Sequence, residues 1–309
     1  MIYTVTLNPA MDKTAIVPNL TLDAVNRITE LRQDPGGKGI NVSKVIKKLG
    51  GTSNAMALLG GNTGKALRAM LLDAEIDVVA FEVEGETRTN LKIVDPENDT
   101  HTDINEPGPV VNEDILDAML KNLEAKIDAG DIVVMSGSLP KGAPDATYRT
   151  WAAELKAKGA KVFLDVDGEK LREGIEAVPY LVKPNEIELG GILGKKLETP
   201  AQVAEAARML VDKGIEKVVV SMGGAGAVFA ENGRVVHGIS PKVKVGSTVG
   251  AGDSVVAALA YAEERGMSLE DTVRLSMATG AANVMQSGTQ AAERELVDSL
   301  IDQVGIEEL

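Results

Sequence analysis

An α/β fold, with a mostly parallel sheet between two helical layers and a small β-sheet lid, is predicted by three observations. Short apolar runs alternate with segments of helical periodicity along the whole chain. Many helical segments stop at a glycine, as at Gly50, Gly159, Gly214 and Gly266, the residue that takes a left-handed C-terminal turn without strain. Two stretches, 12–31 and 86–106, break that rhythm with short alternating runs and turn residues such as Pro-Glu-Asn-Asp, and read as antiparallel strands.

Taken in order, the predicted strands of the core are Ile2–Leu7, Ser53–Leu59, Asp77–Val83, Ile132–Ser136, Lys161–Asp165, Tyr180–Val182 and Lys217–Ser221. The predicted helices are Ile40–Leu49, Gly64–Ala74, Asn112–Lys126, Asp145–Lys158, Pro200–Lys213, Asp253–Glu264 and Ser268–Val284. This assigns 1–11, 32–85 and 107–309 to the core. Residues 12–31 and 86–106 form one lid sheet from two insertions. A protruding sheet needs its face covered, so the lid is expected to close over a site and to serve as a homodimer contact.

Composition narrows the function. The 309 residues carry 32 basic and 46 acidic side chains, a net charge of −14 that repels nucleic acid and acidic membranes. Aromatic residues make up only 3%, too few for a base-stacking surface. There is no cysteine, which removes disulfide and thiol chemistry, and the two histidines, His101 and His237, are far apart. Both are expected on the surface. The N-terminus lacks the pattern of a signal peptide and no long apolar run is present, so a cytoplasmic protein is expected. A phosphate site in so acidic a chain must be built locally, from backbone N–H groups, a few placed cations and Mg²⁺.

Four segments carry chemistry. In VGSTVGAGDSVVAALAY, from Val245, a Gly-rich turn runs into an apolar helix, so that the N–H groups of Gly250, Ala251 and Gly252 can hold an anion beside Asp253. An acid in the first helical turn also simply stabilises a helix, but next to an anion nest it is placed to accept a proton. In PGGKGINV, from Pro35, Gly36, Gly37 and Gly39 allow close backbone approach and Asn41 offers both donor and acceptor to sugar hydroxyls, although the segment also reads as a turn before an amphipathic helix. In LVKPNEIEL, from Leu181, Lys183 suits a phosphate and Glu188 suits Mg²⁺ through water, although the segment is also a good helix start. In VSMGGAGAVF, from Val220, glycines after a buried strand form either one wall of a nucleotide site or a tight hairpin. By contrast, GGNTGKA at Gly60 is one residue short of a phosphate-binding loop and has Ala66 where Ser or Thr is required.

These segments, with TLNPAMD near the start and SGSLPKG in the middle, occur in one order over almost the whole chain. Together they resemble the ribokinase-type (PfkB) carbohydrate kinases, in the branch that acts on phosphorylated ketohexoses. The resemblance implies ATP as co-substrate, Mg²⁺, and D-fructose 1-phosphate as acceptor, with tagatose 6-phosphate and then fructose 6-phosphate as alternatives. A sensor without activity is the non-enzyme alternative. The family's catalytic aspartate falls on Asp253. Its sugar contacts fall on Asp12, Gly37, Lys38, Gly39, Asn41 and Ser138, and its phosphate contact on Arg88, with Arg27 assisting. The nucleotide side maps onto Lys183, Asn185, Glu188, Ser221, Gly223 and Gly226, with Ser247, Thr248 and the glycine turn along the phosphates. Gly280 and Asn283 fall near the adenine. Family members also bind a monovalent cation such as K⁺ near the anion hole; the corresponding stretch here is Asn283–Gln290.

Overall fold

The computed structural model describes Met1–Leu309. Its strands are β1 (Ile2–Thr6), β2 (Ala10–Ile16), β3 (Glu30–Gly36), β4 (Asn54–Gly60), β5 (Asp77–Val83), β6 (Arg88–Asp95), β7 (Thr100–Asn105), β8 (Ile132–Ser136), β9 (Lys161–Asp165), β10 (Leu181–Val182), β11 (Lys217–Ser221), β12 (Ala227–Glu231), β13 (Arg234–Ile239) and β14 (Gly305–Glu308). Its helices are α1 (Lys38–Lys48), α2 (Gly61–Asp73), α3 (Glu113–Glu124), α4 (Thr147–Ala157), α5 (Gly168–Ile175), α6 (Glu186–Leu193), α7 (Pro200–Asp212), α8 (Ala251–Glu264), α9 (Leu269–Val284) and α10 (Arg294–Ile301).

Ten strands form the main sheet in the order β14-β13-β12-β11-β10-β9-β8-β1-β4-β5. From β11 to β5 all neighbours are parallel; β12, β13 and β14 extend the sheet antiparallel. The parallel strands inside the sheet are buried on both faces, so alternate residues feed two cores, whereas β5 at the edge is only half-buried. In β8, Val133 and Met135 pack under α3 to α7, while Ile132 and Val134 pack under α1 and α8 to α10. From β1 the chain first adds β4 and β5 on one side and later β8 to β11 on the other. This reversal opens a crevice outside the carboxyl ends of the strands, where open α/β sheets bind ligands.

The second sheet, β3-β2-β6-β7, is the lid. Its strands begin and end closer to the core than the predicted insertions, at Ala10 and Gly36 on the first excursion. Its central pair, β2 and β6, is parallel, not antiparallel as predicted; only β2–β3 and β6–β7 are antiparallel hairpins. Each excursion leaves the same end of the core sheet, so both first strands run the same way. His237 also corrects a prediction. It is buried in β13, between β12 and β14, with Nε2 2.8 Å from the Ala225 carbonyl. His101 is exposed in β7, as expected. At α2, the carboxylate of Glu86 accepts from the N–H groups of Asn62 and Thr63, so the helix start in GGNTGKA is already capped by protein.

Candidate active site

Two helix N-termini meet above the crevice. Gly37 precedes α1 and Gly250 precedes α8, both at positive φ. The packed pair brings Asn41 to Asp253: Asn41 Nδ2 donates to Asp253 Oδ2 at 2.8 Å, in a buried setting. Asp253 Oδ1 accepts no hydrogen bond from the protein.

Beneath this pair, the strand ends supply charge. Asp165, the last residue of β9, is buried and pairs with Lys183 Nζ at 3.1 Å through Oδ1. Lys38 Nζ stands 3.6 Å from Oδ2, an ion pair too long for a hydrogen bond. Burial pushes the Asp165 carboxyl up, but the two ammonium groups outweigh it and hold the carboxyl below its ordinary value. The same Asp165 charge raises Lys38. Asp253 behaves oppositely. Burial first, then the Asp165 charge, pushes it up to about 6, against the pull of Lys38, Asn41 and Lys183. A carboxyl so raised is a better proton acceptor than an exposed aspartate and is still mostly ionised at neutral pH.

The lid supplies the opposite wall. Its register places residues in cross-strand rows: Asp12 opposite Asn90, and Asn90 opposite Asn105; Thr14 opposite Lys92, and Lys92 opposite Asp103. These rows face the crevice. Asn90 Nδ2 donates to Asp12 Oδ1 at 3.0 Å. Burial raises the Asp12 carboxyl, offset in part by that bond and by the charge of Lys44. A methyl at Gly36 would fall 2.1 Å from Asp12 Oδ2, so a glycine there keeps Asp12 in place. At the base of the lid, Arg88 donates from Nε and Nη2 to the Asn8 carbonyl, at 3.2 and 3.0 Å.

The cleft between lid and core has a volume of about 610 Å³ and is lined mostly by polar and charged residues. It gathers Asp12, Gly37, Lys38, Asn41, Arg88, Lys183, Asn185, Glu188, Ser221, Gly223, Gly250, Gly252 and Asp253. A second, largely apolar cavity of about 470 Å³ lies beside it and takes Gly226, Thr248, Ala251 and Gly280, together with Val243, Val255 and Met277. Ser221, Gly223 and Gly252 border both. The hairpin β11–β12 predicted as one reading of VSMGGAGAVF is present, and its turn borders both cavities.

Five predicted site residues fall outside the two cavities. Gly39 is a packing glycine: a methyl there would lie 2.4 Å from Thr6 Oγ1. Ser138 Oγ accepts from Asn8 Nδ2 and so braces the carbonyl that holds Arg88. Ser247 Oγ accepts from the Val249 N–H, inside its own turn. Asn283 is buried behind the glycine turn, its Nδ2 donating to the Val249 carbonyl at 3.4 Å. Arg27 is exposed at the lid edge, away from the cleft. Lys183, read as a free phosphate ligand, is instead 5% exposed and ion-paired, because its partner Asp165 lies on the neighbouring strand. Sequence reasoning missed Asp165, Asn90, Lys92, Asp103 and Thr289, all on the cleft wall. An acid ending a core strand, and period-two spacing from Arg88 through Asn90 to Lys92, were the signals for the first three.

A polar, charged cleft, an apolar cavity beside it and a glycine-led helix start where they join suit a phosphotransferase with a nucleotide and a small hydroxylated acceptor. The chain belongs to the pfkB family of carbohydrate kinases, whose model matches residues 5–296. A kinase of this family uses ATP as co-substrate. The 1-phosphofructokinase of Bacillus subtilis is 36% identical over 309 residues, the whole of both chains. That of Rhodobacter capsulatus is 38% identical, covering 100% of this chain and 98% of its own. Among solved structures, phosphofructokinase-2 from Escherichia coli in complex with potassium superposes with a TM-score of 0.93 at 33% identity, over 98% of each chain. Other solved forms of that enzyme include a complex with fructose-6-phosphate and a tetrameric inhibited form.

Proposed function

We propose that the chain transfers the γ-phosphoryl group of ATP to the C6 hydroxyl of D-fructose 1-phosphate, giving ADP and fructose 1,6-bisphosphate. The observation that carries the mechanism is the free Oδ1 of buried Asp253 in the polar cleft, next to Gly252, which borders both cavities. As the sugar oxygen bonds to the γ-phosphorus, the bond to the ADP oxygen breaks and the hydroxyl proton passes to Asp253. A carboxyl at about 6 remains far less basic than an alkoxide, so the proton moves late, as O–P bonding acidifies the hydroxyl. The N–H groups at 250–253 stabilise charge on the transferring phosphoryl. Asp12, Lys38, Asn41 and Asn90 orient the sugar, and Arg88 with Lys92 faces its phosphate. The apolar cavity takes the adenine.

No cluster of three ligating side chains suited to a metal ion is present. Glu188, on the cleft wall, would contribute through water to Mg²⁺ carried on the ATP phosphates; its Oε2 already accepts from the Asn185 N–H. Mg²⁺ held there would supply neutralisation of phosphate charge. K⁺ activation belongs to the same reading, supported by the potassium complex of the Escherichia coli enzyme; replacing K⁺ with Na⁺ in the assay tests it. We also assign a homodimer contact to the lid, where Leu22, Val25 and Ile104 are exposed; sedimentation of wild type and Val25→Asp checks it. No helix is long and apolar enough to cross a membrane, and a substrate pair of ATP and sugar phosphate fits action in the cytoplasm.

One experiment decides the acceptor. Purified protein is given ATP with fructose 1-phosphate, tagatose 6-phosphate or fructose 6-phosphate, and ADP release is measured. The highest kcat/KM is expected with fructose 1-phosphate. Preference for a 6-phosphate would move the assignment to one of the runner-up substrates, and no ADP with any of them would leave a sensor.

A further inference from the structure

The Asn41–Asp253 hydrogen bond has a cation behind it. Lys44 follows Asn41 by three residues in α1, so the two side chains share a helix face. Its Nζ donates to the Pro35 carbonyl in β3 at 3.0 Å and to the Thr289 carbonyl at 2.9 Å, and lies 3.5 Å from Asn41 Oδ1. Asn41 is therefore held between opposite charges, with its amide nitrogen on the Asp253 carboxylate and its amide oxygen towards the ammonium. Only one orientation of the amide satisfies both neighbours. The same ammonium joins the lid, the helix and the segment after α9.

We propose that Lys44 is a positioning residue for phosphoryl transfer: it fixes the Asn41 amide, which occupies Asp253 Oδ2 and leaves Oδ1 as the oxygen that receives the substrate proton. The inference rests on Asp253 being the proton acceptor. Its importance is greatest at the moment of transfer. Once protonated, Asp253 attracts Asn41 Nδ2 less strongly, and Lys44 still holds the amide from behind. Lys44 is surrounded by Asp34 of β3, Asp12 of β2 and Asp253 of α8, with Arg32 of β3 opposing them. Burial lowers its affinity for a proton and those three carboxylates restore part of it. Asp253 in turn faces Asp165 at the end of β9, Lys38 and Asn41 of α1, and Lys183 after β10.

The test is the pH dependence of kcat with MgATP and saturating fructose 1-phosphate, in wild type, Lys44→Met, Lys44→Arg and Asp253→Asn. The sugar phosphate ionises alike with every variant, so a displacement between variants reports the enzyme. Lys44→Met is expected to lower kcat by about tenfold to a hundredfold and to move the acidic limb to higher pH, since a cation near Asp253 is lost. Lys44→Arg is expected to restore the limb and most of kcat. If Lys44→Met does not fold, Lys44→Gln, which keeps a donor without the charge, carries the same two readings. A merely structural role would lower thermal stability and leave the limb where it is; that result, or full kcat in Lys44→Met, overturns the proposal. Asp253→Asn separates the two claims. Near-normal turnover in that variant defeats the proton-acceptor assignment itself, whereas its loss together with an unmoved limb in Lys44→Met defeats only the role of Lys44.

Discussion

Helix α8 carries a carboxylate near each end, buried Asp253 in its first turn and half-buried Glu263 in its last. Around Glu263 the charges close. Its Oε1 accepts from Lys161 Nζ and from the Tyr180 hydroxyl, and its Oε2 pairs with Lys217 at 2.8 Å, which also pairs with Glu231. Burial pushes that carboxyl up, but hydrogen bonds from Lys161, Lys217 and Tyr180 outweigh it and hold the group below its ordinary value. Around Asp253 the charges stay open. One oxygen has one amide donor, a second carboxylate stands nearby, and the group is raised. The same strands serve both ends: Lys161 starts β9 and Asp165 finishes it, while Lys217 starts β11 and Ser221 finishes it. Strand starts hold a satisfied network that supports the fold, and strand ends hold an unsatisfied one that faces the open cleft.

Substitution at the two ends should therefore move stability in opposite directions. Glu263→Gln is expected to destabilise by about 1–3 kcal/mol, since it weakens the charge-assisted hydrogen bonds of half-buried Lys161 and Lys217, the second of which keeps Glu231, while kcat of the folded enzyme stays within about twofold of wild type. The stability that Glu263 contributes is present above the ordinary glutamate value and is lost as pH falls through its depressed one. Asp253→Asn should stabilise. A carboxyl raised from 3.8 to about 6 binds its proton more tightly in the native state. Stability then declines as pH rises from 3.8 towards 6, and the ionised form costs about 3 kcal/mol at neutral pH. An amide removes that cost. Denaturant unfolding at pH 7 measures both shifts; a fall in both would erase the contrast. Arg88→Ala sharpens the picture on the lid side. The KM for the sugar phosphate should rise by about tenfold or more, about 1.4 kcal/mol, against less than about twofold for ATP. Equal changes would remove Arg88 from the acceptor side.

Much of this architecture was legible because parallel, doubly buried strands and long amphipathic helices carry strong local patterns. Val133 and Met135 alternating with Ile132 and Val134 read as strand at once. The eight-residue helices α5, α6 and α10 are too short to show a period. The β12–β13 hairpin was missed although Asn232-Gly233, both at positive φ, is a strong turn signal. At the candidate site, Asp253, Asn41 and the glycine turns, which the fold brings to one cleft, were legible because a Gly-rich turn running into an apolar helix is a strong local pattern. Pairings were not. Nothing local tells that Lys183 spends its charge on Asp165, that Gly39 serves packing, or that Asn90 sits opposite Asp12. Those facts depend on strand order and register, which bring together residues distant in the chain.

The account turns on Asp253, and its most direct measurement is turnover of Asp253→Asn with the sugar phosphate that wild type prefers, alongside calorimetric binding of that compound. Binding should persist while kcat falls by about 10²-fold or more. Near-normal kcat in a variant that binds normally would contradict it.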